Sequence, residues 1–142
     1  MMDVKKQPGI SFDGILLANE SFYRAPSIPE EMKIDLSFNM SLNNLEDRFS
    51  NELNTVLICY SIDDMEVLKL DFSFVGIFSI INGEENMDIQ TFMKQHSPAI
   101  IFPYIREHIS SVTHKAGISP ILLPPINILA MINQINDNIE KE

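Results

Sequence analysis

Tryptophan is absent from the 142 residues, glycine occurs only five times, and there is a single cysteine, Cys59. One thiol cannot form an intrachain disulfide. Its place in the apolar run Val56, Leu57, Ile58, Cys59, Tyr60 predicts a buried, inert residue suited to a reducing compartment. Positive charge is also scarce, with ten Lys and Arg against twenty Asp and Glu, a formal net charge of −10. Such a field repels phosphate backbones and anionic lipid, which argues against nucleic acid and against direct membrane binding. No basic segment leads into an apolar run near the N-terminus, and no stretch approaches the roughly 18 uninterrupted apolar residues of a membrane helix. The expected location is the cytoplasm.

Residues arranged for chemistry are equally sparse. His96, His108 and His114 lack metal-ligand spacing, and one cysteine cannot build a thiolate zinc site. His108 falls on the apolar side of an expected helix, where a hydrogen-bonded interior or interface role outweighs that of a base. Ser110 and Ser111 have no flanking glycines of the nucleophile-elbow kind, and Gly76 and Gly83 are too isolated for a phosphate-cradling loop. The acidic pairs Glu30 with Glu31 and Glu84 with Glu85 lie in expected turns as solvated charge. No catalytic residue, metal or cofactor is predicted, and the chain reads as a non-enzyme.

What the chain does have is core material, 45% apolar residues including nine Phe and eight Met, in a length that suits one domain. Residues 1–9 read as a flexible tail and 10–142 as a single domain. From Ile34 to Leu42 apolar and polar residues alternate strictly, as do those from Leu68 to Phe74, so each is a strand with one wet face. Leu53 to Ile62 is rich in β-branched and aromatic residues, and Asp63 with Asp64 turns it into the next strand as a hairpin. Ile10 to Arg24 adds a fourth strand, interrupted at Gly14 and ended by Pro26 and Pro29.

After Gly83 the period changes. A short helix is expected over about Met87 to Gln95. Ser97 followed by Pro98 resembles an N-cap and first helical position, with Ile101, Tyr104, Ile105, His108, Ile109 and Val112 on one face and Gly117 as the stop. A last helix is expected after Pro124 and Pro125, lined by Ile128, Ile132, Ile135 and Ile139. Strands first and helices after imply an α+β fold with two to three helices on one side of a four-stranded antiparallel sheet. The connection from Gly117 to Pro125 is unusually apolar for a loop. It either packs down on its own core or offers an apolar surface to something else.

Gly76 to Ile80 reads GIFSI, and Ile100 to Glu107 reads IIFPYIRE, followed closely by SSV. Both stretches resemble the hallmarks of the SecB family of export chaperones. Glu20 to Pro26 (ESFYRAP) and Pro120 to Ala130 (PILLPPINILA) extend the resemblance over roughly residues 10 to 135. It implies a Greek-key sheet, assembly as a homotetramer (a dimer of dimers), and a holding chaperone that needs no ATP. Such proteins keep unfolded preproteins export-competent for the SecA motor. By resemblance the client groove is lined by Met32, Ile34, Leu36 and Phe38 of the second strand and by Ile121, Leu122, Leu123, Ile128 and Ile132 of the inter-helix loop and last helix. The family's acidic SecA-docking patch matches at Glu20 and Asp71, while a third position, usually acidic, is Arg24 here. That departure brings forward a second SecB-like role, the holding of an antitoxin from a toxin-antitoxin pair.

Two readings from other classes remain at this stage. One is an oligomeric adaptor that uses its apolar surface only to self-assemble, which would not distinguish unfolded from folded polypeptide. The other is an enzyme on a small apolar molecule, which needs a polar group converging inside the pocket.

Overall fold

The strict alternations build long strands, seen in a computed structural model that describes residues 9–83 and 87–137, the last five of these as backbone. β1 (Ile10–Arg24), β2 (Lys33–Leu45), β3 (Arg48–Tyr60) and β4 (Glu66–Ile80) form the antiparallel part of the sheet. Helices α1 (Ile89–Gln95) and α2 (Ser97–Lys115) follow, then the single-turn α3 (Ile128–Met131) and a further strand, β5 (Ile132–Asp137). Spatial order is β1-β4-β3-β2-β5. Strands β2, β3 and β4 are joined in sequence and β1 lies beside β4, which is the Greek-key arrangement expected.

Period two sets the two faces. Phe38, Met40 and Leu42 on β2, Leu53 and Leu57 on β3, and Leu68, Leu70, Phe72 and Phe78 on β4 are buried together with Ile101, Ile105 and Ile109 of α2. Gly76 sits at the centre of this contact. A Cβ there would lie 2.9 Å from Ile101 Cδ1 and 3.1 Å from Phe78 Cε1, so the absent side chain is what lets α2 approach the sheet. The hairpin turn between β3 and β4 is as expected, with Asp64 at φ 62° and its amide donating to the Ser61 carbonyl at 2.9 Å.

Three local expectations change. The break at Gly14 is absorbed rather than terminating: β1 runs through it with register shifts between Phe12 and Gly14 and between Leu17 and Asn19. Ser97 is not a cap. It is buried inside the first turn of α2 and donates to the Met93 carbonyl of α1 at 2.5 Å, while His96 takes the cap position without a side-chain bond. Gly9, placed in the tail, is buried, and its carbonyl accepts from the Ile81 amide at 2.9 Å; residues 1–8 lie outside the described residues.

The largest correction concerns the last helix. Helix persists for only four residues, and Ile132–Asp137 instead pairs parallel with Phe38–Leu42 of β2. β-branched Ile and the asparagines at 133 and 136 are weak helix formers, so a helix here had little intrinsic support. The edge of β2 offered backbone donors and acceptors in need of partners, and pairing satisfied them. Ile139 lies outside the described residues. Among the described residues no helix is long and apolar enough to cross a membrane.

Candidate client-binding surface

The loop that follows α2 is held at its start and again at Ile121 by part-buried hydrogen bonds. Gly117, at φ 81°, ends α2 where it was expected to. Arg24 then ties that end to the sheet: its Nε donates to the Ala116 carbonyl at 2.7 Å, and its Nη1 donates to the carbonyls of Ala25 at 2.7 Å and Pro26 at 3.3 Å. Further on, the buried hydroxyl of Thr113 donates to the Ile109 carbonyl at 2.7 Å and accepts from the Ile121 amide at 2.9 Å. With Ile121 pinned to α2, the extended chain alternates. Ile121 and Leu123 turn onto the core and Leu122 turns out, 74% exposed.

A matching outward residue lies on β2. Ile34 is 51% exposed, Leu36 packs partly against the core, and Phe38 is fully buried. The gradient follows the helices: α1 and α2 cover the middle of the sheet, and the first residues of β2 run out beyond them. Met32 lines a pocket of about 440 Å³ with Arg24, Ile28, Pro29 and Gly117–Ser119. Leu122 and Leu123 line another, about 400 Å³, with Pro103, Arg106, Glu107 and Ser110 of α2. Ile34 and Leu36 line neither pocket.

The expected groove is therefore only partly assembled as drawn from the sequence. Met32, Ile34, Leu36, Ile121, Leu122, Leu123 and Ile132 are open or half-buried. Phe38 and Ile128 are core residues at 0% and 4% exposure and cannot face a client in this arrangement. Alternation along β2 put Phe38 on the right face; it could not tell how far along the strand the helices reach.

The expected docking pair is separated. Glu20 pairs in register with Phe72, whose ring packs 4.7 Å from His108 of α2, and the Glu20 Oε1 itself lies 2.5 Å from His108 Nε2. Asp71, one residue along from Phe72, takes the opposite face of the sheet, where it accepts from Asn54 Nδ2 at 2.8 Å. The two carboxylates share no surface. Arg24, engaged with three carbonyls, is a clamp and not a free cation on that patch.

Other polar groups are interior. Cys59 is buried, and burial pushes its thiol up from the ordinary range, the inert state expected. Asn51 was not foreseen: fully buried under the α1–α2 joint, its Nδ2 donates to Ser97 Oγ at 2.7 Å while its Oδ1 has no partner. Among the described residues no three His, Cys, Asp or Glu side chains are placed to hold a metal ion.

With this geometry in view, the comparisons with known proteins agree with one another. The model of a family described as preprotein translocase subunit SecB matches residues 7–138. The protein-export protein SecB of Chromobacterium violaceum is 31% identical over 136 residues, 90% of this chain and 88% of its own. That of Methylobacillus flagellatus is 32% identical over 136 residues, 92% of this chain and 85% of its own. Among solved structures, a SecB-like chaperone of Mycobacterium tuberculosis, in complex with a peptide from an antitoxin, has a TM-score of 0.70 at 18% identity, covering 83% of this chain and 91% of that one. That likeness speaks for the fold.

Proposed function

Because the chain belongs to the SecB family of protein-export chaperones, we propose that it holds unfolded polypeptides through the apolar surface around Ile34 and the Leu122 loop, without nucleotide. The observation that carries this reading is the outward display of Ile34 and Leu122 on segments whose neighbours are anchored. Exposed apolar area gains about 25 cal/mol per Å² when covered, whatever the sequence that covers it. Such a surface selects chains whose own apolar groups are uncovered, and folded proteins offer little.

Preproteins and the SecA motor are the partners proposed from the family. Assembly as a homotetramer would bring several such surfaces onto one client and raise the effective concentration of each contact after the first. Exposed Phe12, Leu16, Leu17, Phe22 and Tyr23 on β1, a sheet edge, support association between copies. A cytoplasmic location fits that assignment.

A second client class has its own support. Glu20 is occupied by His108, Arg24 by backbone carbonyls and Asp71 by Asn54, so all three positions matched to the SecA patch are engaged within the chain. The structural neighbour solved with an antitoxin peptide makes an antitoxin the alternative client. Suppression of aggregation separates chaperone from adaptor: a reduced, unfolding polypeptide should stay in solution at near-stoichiometric amounts of this protein with no nucleotide. Binding folded and unfolded forms alike would contradict the reading. Co-purification from the native cytosol then distinguishes preproteins from an antitoxin.

A further inference from the structure

β5 is the odd member of the sheet. The four other strands are 13 to 15 residues long and antiparallel; β5 has six residues, runs parallel to β2, and carries a register irregularity between Phe38 and Asn39. Parallel pairing is slightly the weaker kind per residue. Its sequence, Ile-Asn-Gln-Ile-Asn-Asp, has four residues of types that disfavour strands or carry no β preference. Ile132 packs against the core, and beyond it β5 is paired along the main chain of β2, a pairing that any extended peptide can provide.

β5 also fills only part of its edge. It takes Phe38–Leu42, whereas Lys33–Ser37 on the same edge has no partner strand among the described residues. That open half carries Ile34, and it runs into the filled half without a break.

We propose that β5 is an autoinhibitory stand-in for client: an extended segment of unfolded polypeptide adds to the open Lys33–Ser37 edge and advances along β2 by displacing β5 strand for strand. This deepens the chaperone reading and rests on it. The ladder that forms replaces the ladder that breaks, so the exchange changes few hydrogen bonds and needs no energy source. Apparent affinity is then set by the fraction of molecules in which β5 has left the edge. A short polar segment without a bound partner stays folded against the edge, and the apolar client that adds to Ile34 outcompetes it.

The register gives a reversible test. Ser41 pairs with Asn136, so Ser41→Cys with Asn136→Cys in the full chain ties β5 to β2 when oxidised and frees it when reduced; Cys59 is buried and does not compete. Binding of fluorescent, reduced and carboxymethylated lactalbumin is measured in both states. The oxidised protein is expected to bind at least about tenfold more weakly than the same protein after reduction, which is about 1.4 kcal/mol. A second variant lacking residues 132–142 is expected to bind at least tenfold more tightly than the intact chain. Equal affinity in the oxidised and reduced states overturns the proposal, as does weaker binding by a truncated chain that keeps its far-ultraviolet spectrum. If truncation unfolds the protein, the disulfide arm decides alone. No binding by the intact, reduced or truncated forms removes the chaperone reading and this inference together.

Discussion

The inner face of the sheet and the β2 edge are made of the same residue types and end up in opposite states. Under α2, Leu53, Leu57, Phe72 and Phe78 meet Ile101, Ile105 and Ile109, and every one of them is buried. Ile34, near the start of β2, and Leu122, in the loop alongside α2, are as apolar and remain largely exposed. Hydrophobicity alone does not separate them. The difference lies in what each region was given to pack against: Gly76 lets α2 sink onto the sheet, while Thr113 pins Ile121 and thereby turns Leu122 outward. A core forms where a partner element can come within van der Waals distance, and an exposed apolar surface persists where the anchoring prevents that.

The comparison breaks most visibly on the buried side. Ile105→Ala removes apolar atoms from a fully packed site and is expected to cost about 2–5 kcal/mol in urea unfolding, with client affinity per folded molecule unchanged. A loss below 1 kcal/mol would mean the α2–sheet contact is looser than drawn. Arg24→Ala acts between the two regions. It deletes the donors to Ala116, Ala25 and Pro26 and leaves carbonyls unpaired at a part-buried joint, so a loss of about 1–3 kcal/mol is expected together with faster hydrogen exchange in the 117–125 loop. Enhanced SecA binding by Arg24→Glu, with stability intact, would instead place that side chain in an acidic docking patch.

The smallest effect is a pH limb. The Cys59 thiol is held up by burial, so above about pH 8.5, where ordinary thiols ionise, the unfolded chain gives up a proton that the folded chain keeps. The unfolded state then binds fewer protons and stability falls as pH rises, whereas below that value this group contributes no slope. Cys59→Ala should flatten the part of the alkaline decline that belongs to the thiol; an unchanged decline in the variant assigns it elsewhere.

Much of the inner face was legible in the sequence, and for a definite reason. The two stretches that carried the family resemblance, Gly76–Ile80 and Ile100–Glu107, contribute the residues that touch at the sheet–helix contact, Gly76 against Ile101 and Phe78 beside it. Packing of that kind is written in periods of two and 3.6, which a single sequence displays. The β2 edge was not legible in the same way. Alternation placed Ile34, Leu36 and Phe38 on one face but could not show that cover by the helices ends between them. β5 was read as helix from its Ile spacing because the alternative, an edge with unpaired backbone groups, exists only once the sheet has formed. Asp71 fell on the wet face of β4 by alternation, but Glu20 could not be assigned a face, since β1 shifts register against β4 twice and is exposed along most of its length.

One measurement bears most directly on the open apolar surface. Ile34→Asp with Leu122→Asp places charge on the two outward residues and leaves the half-buried Leu36 and Ile121 alone. The charges are solvated in the free protein and desolvated only under a client. Unfolding free energy is expected to stay within about 0.5 kcal/mol of the original, and affinity for reduced, carboxymethylated lactalbumin to fall at least tenfold. A folded double variant that binds this polypeptide as tightly as before would contradict the account.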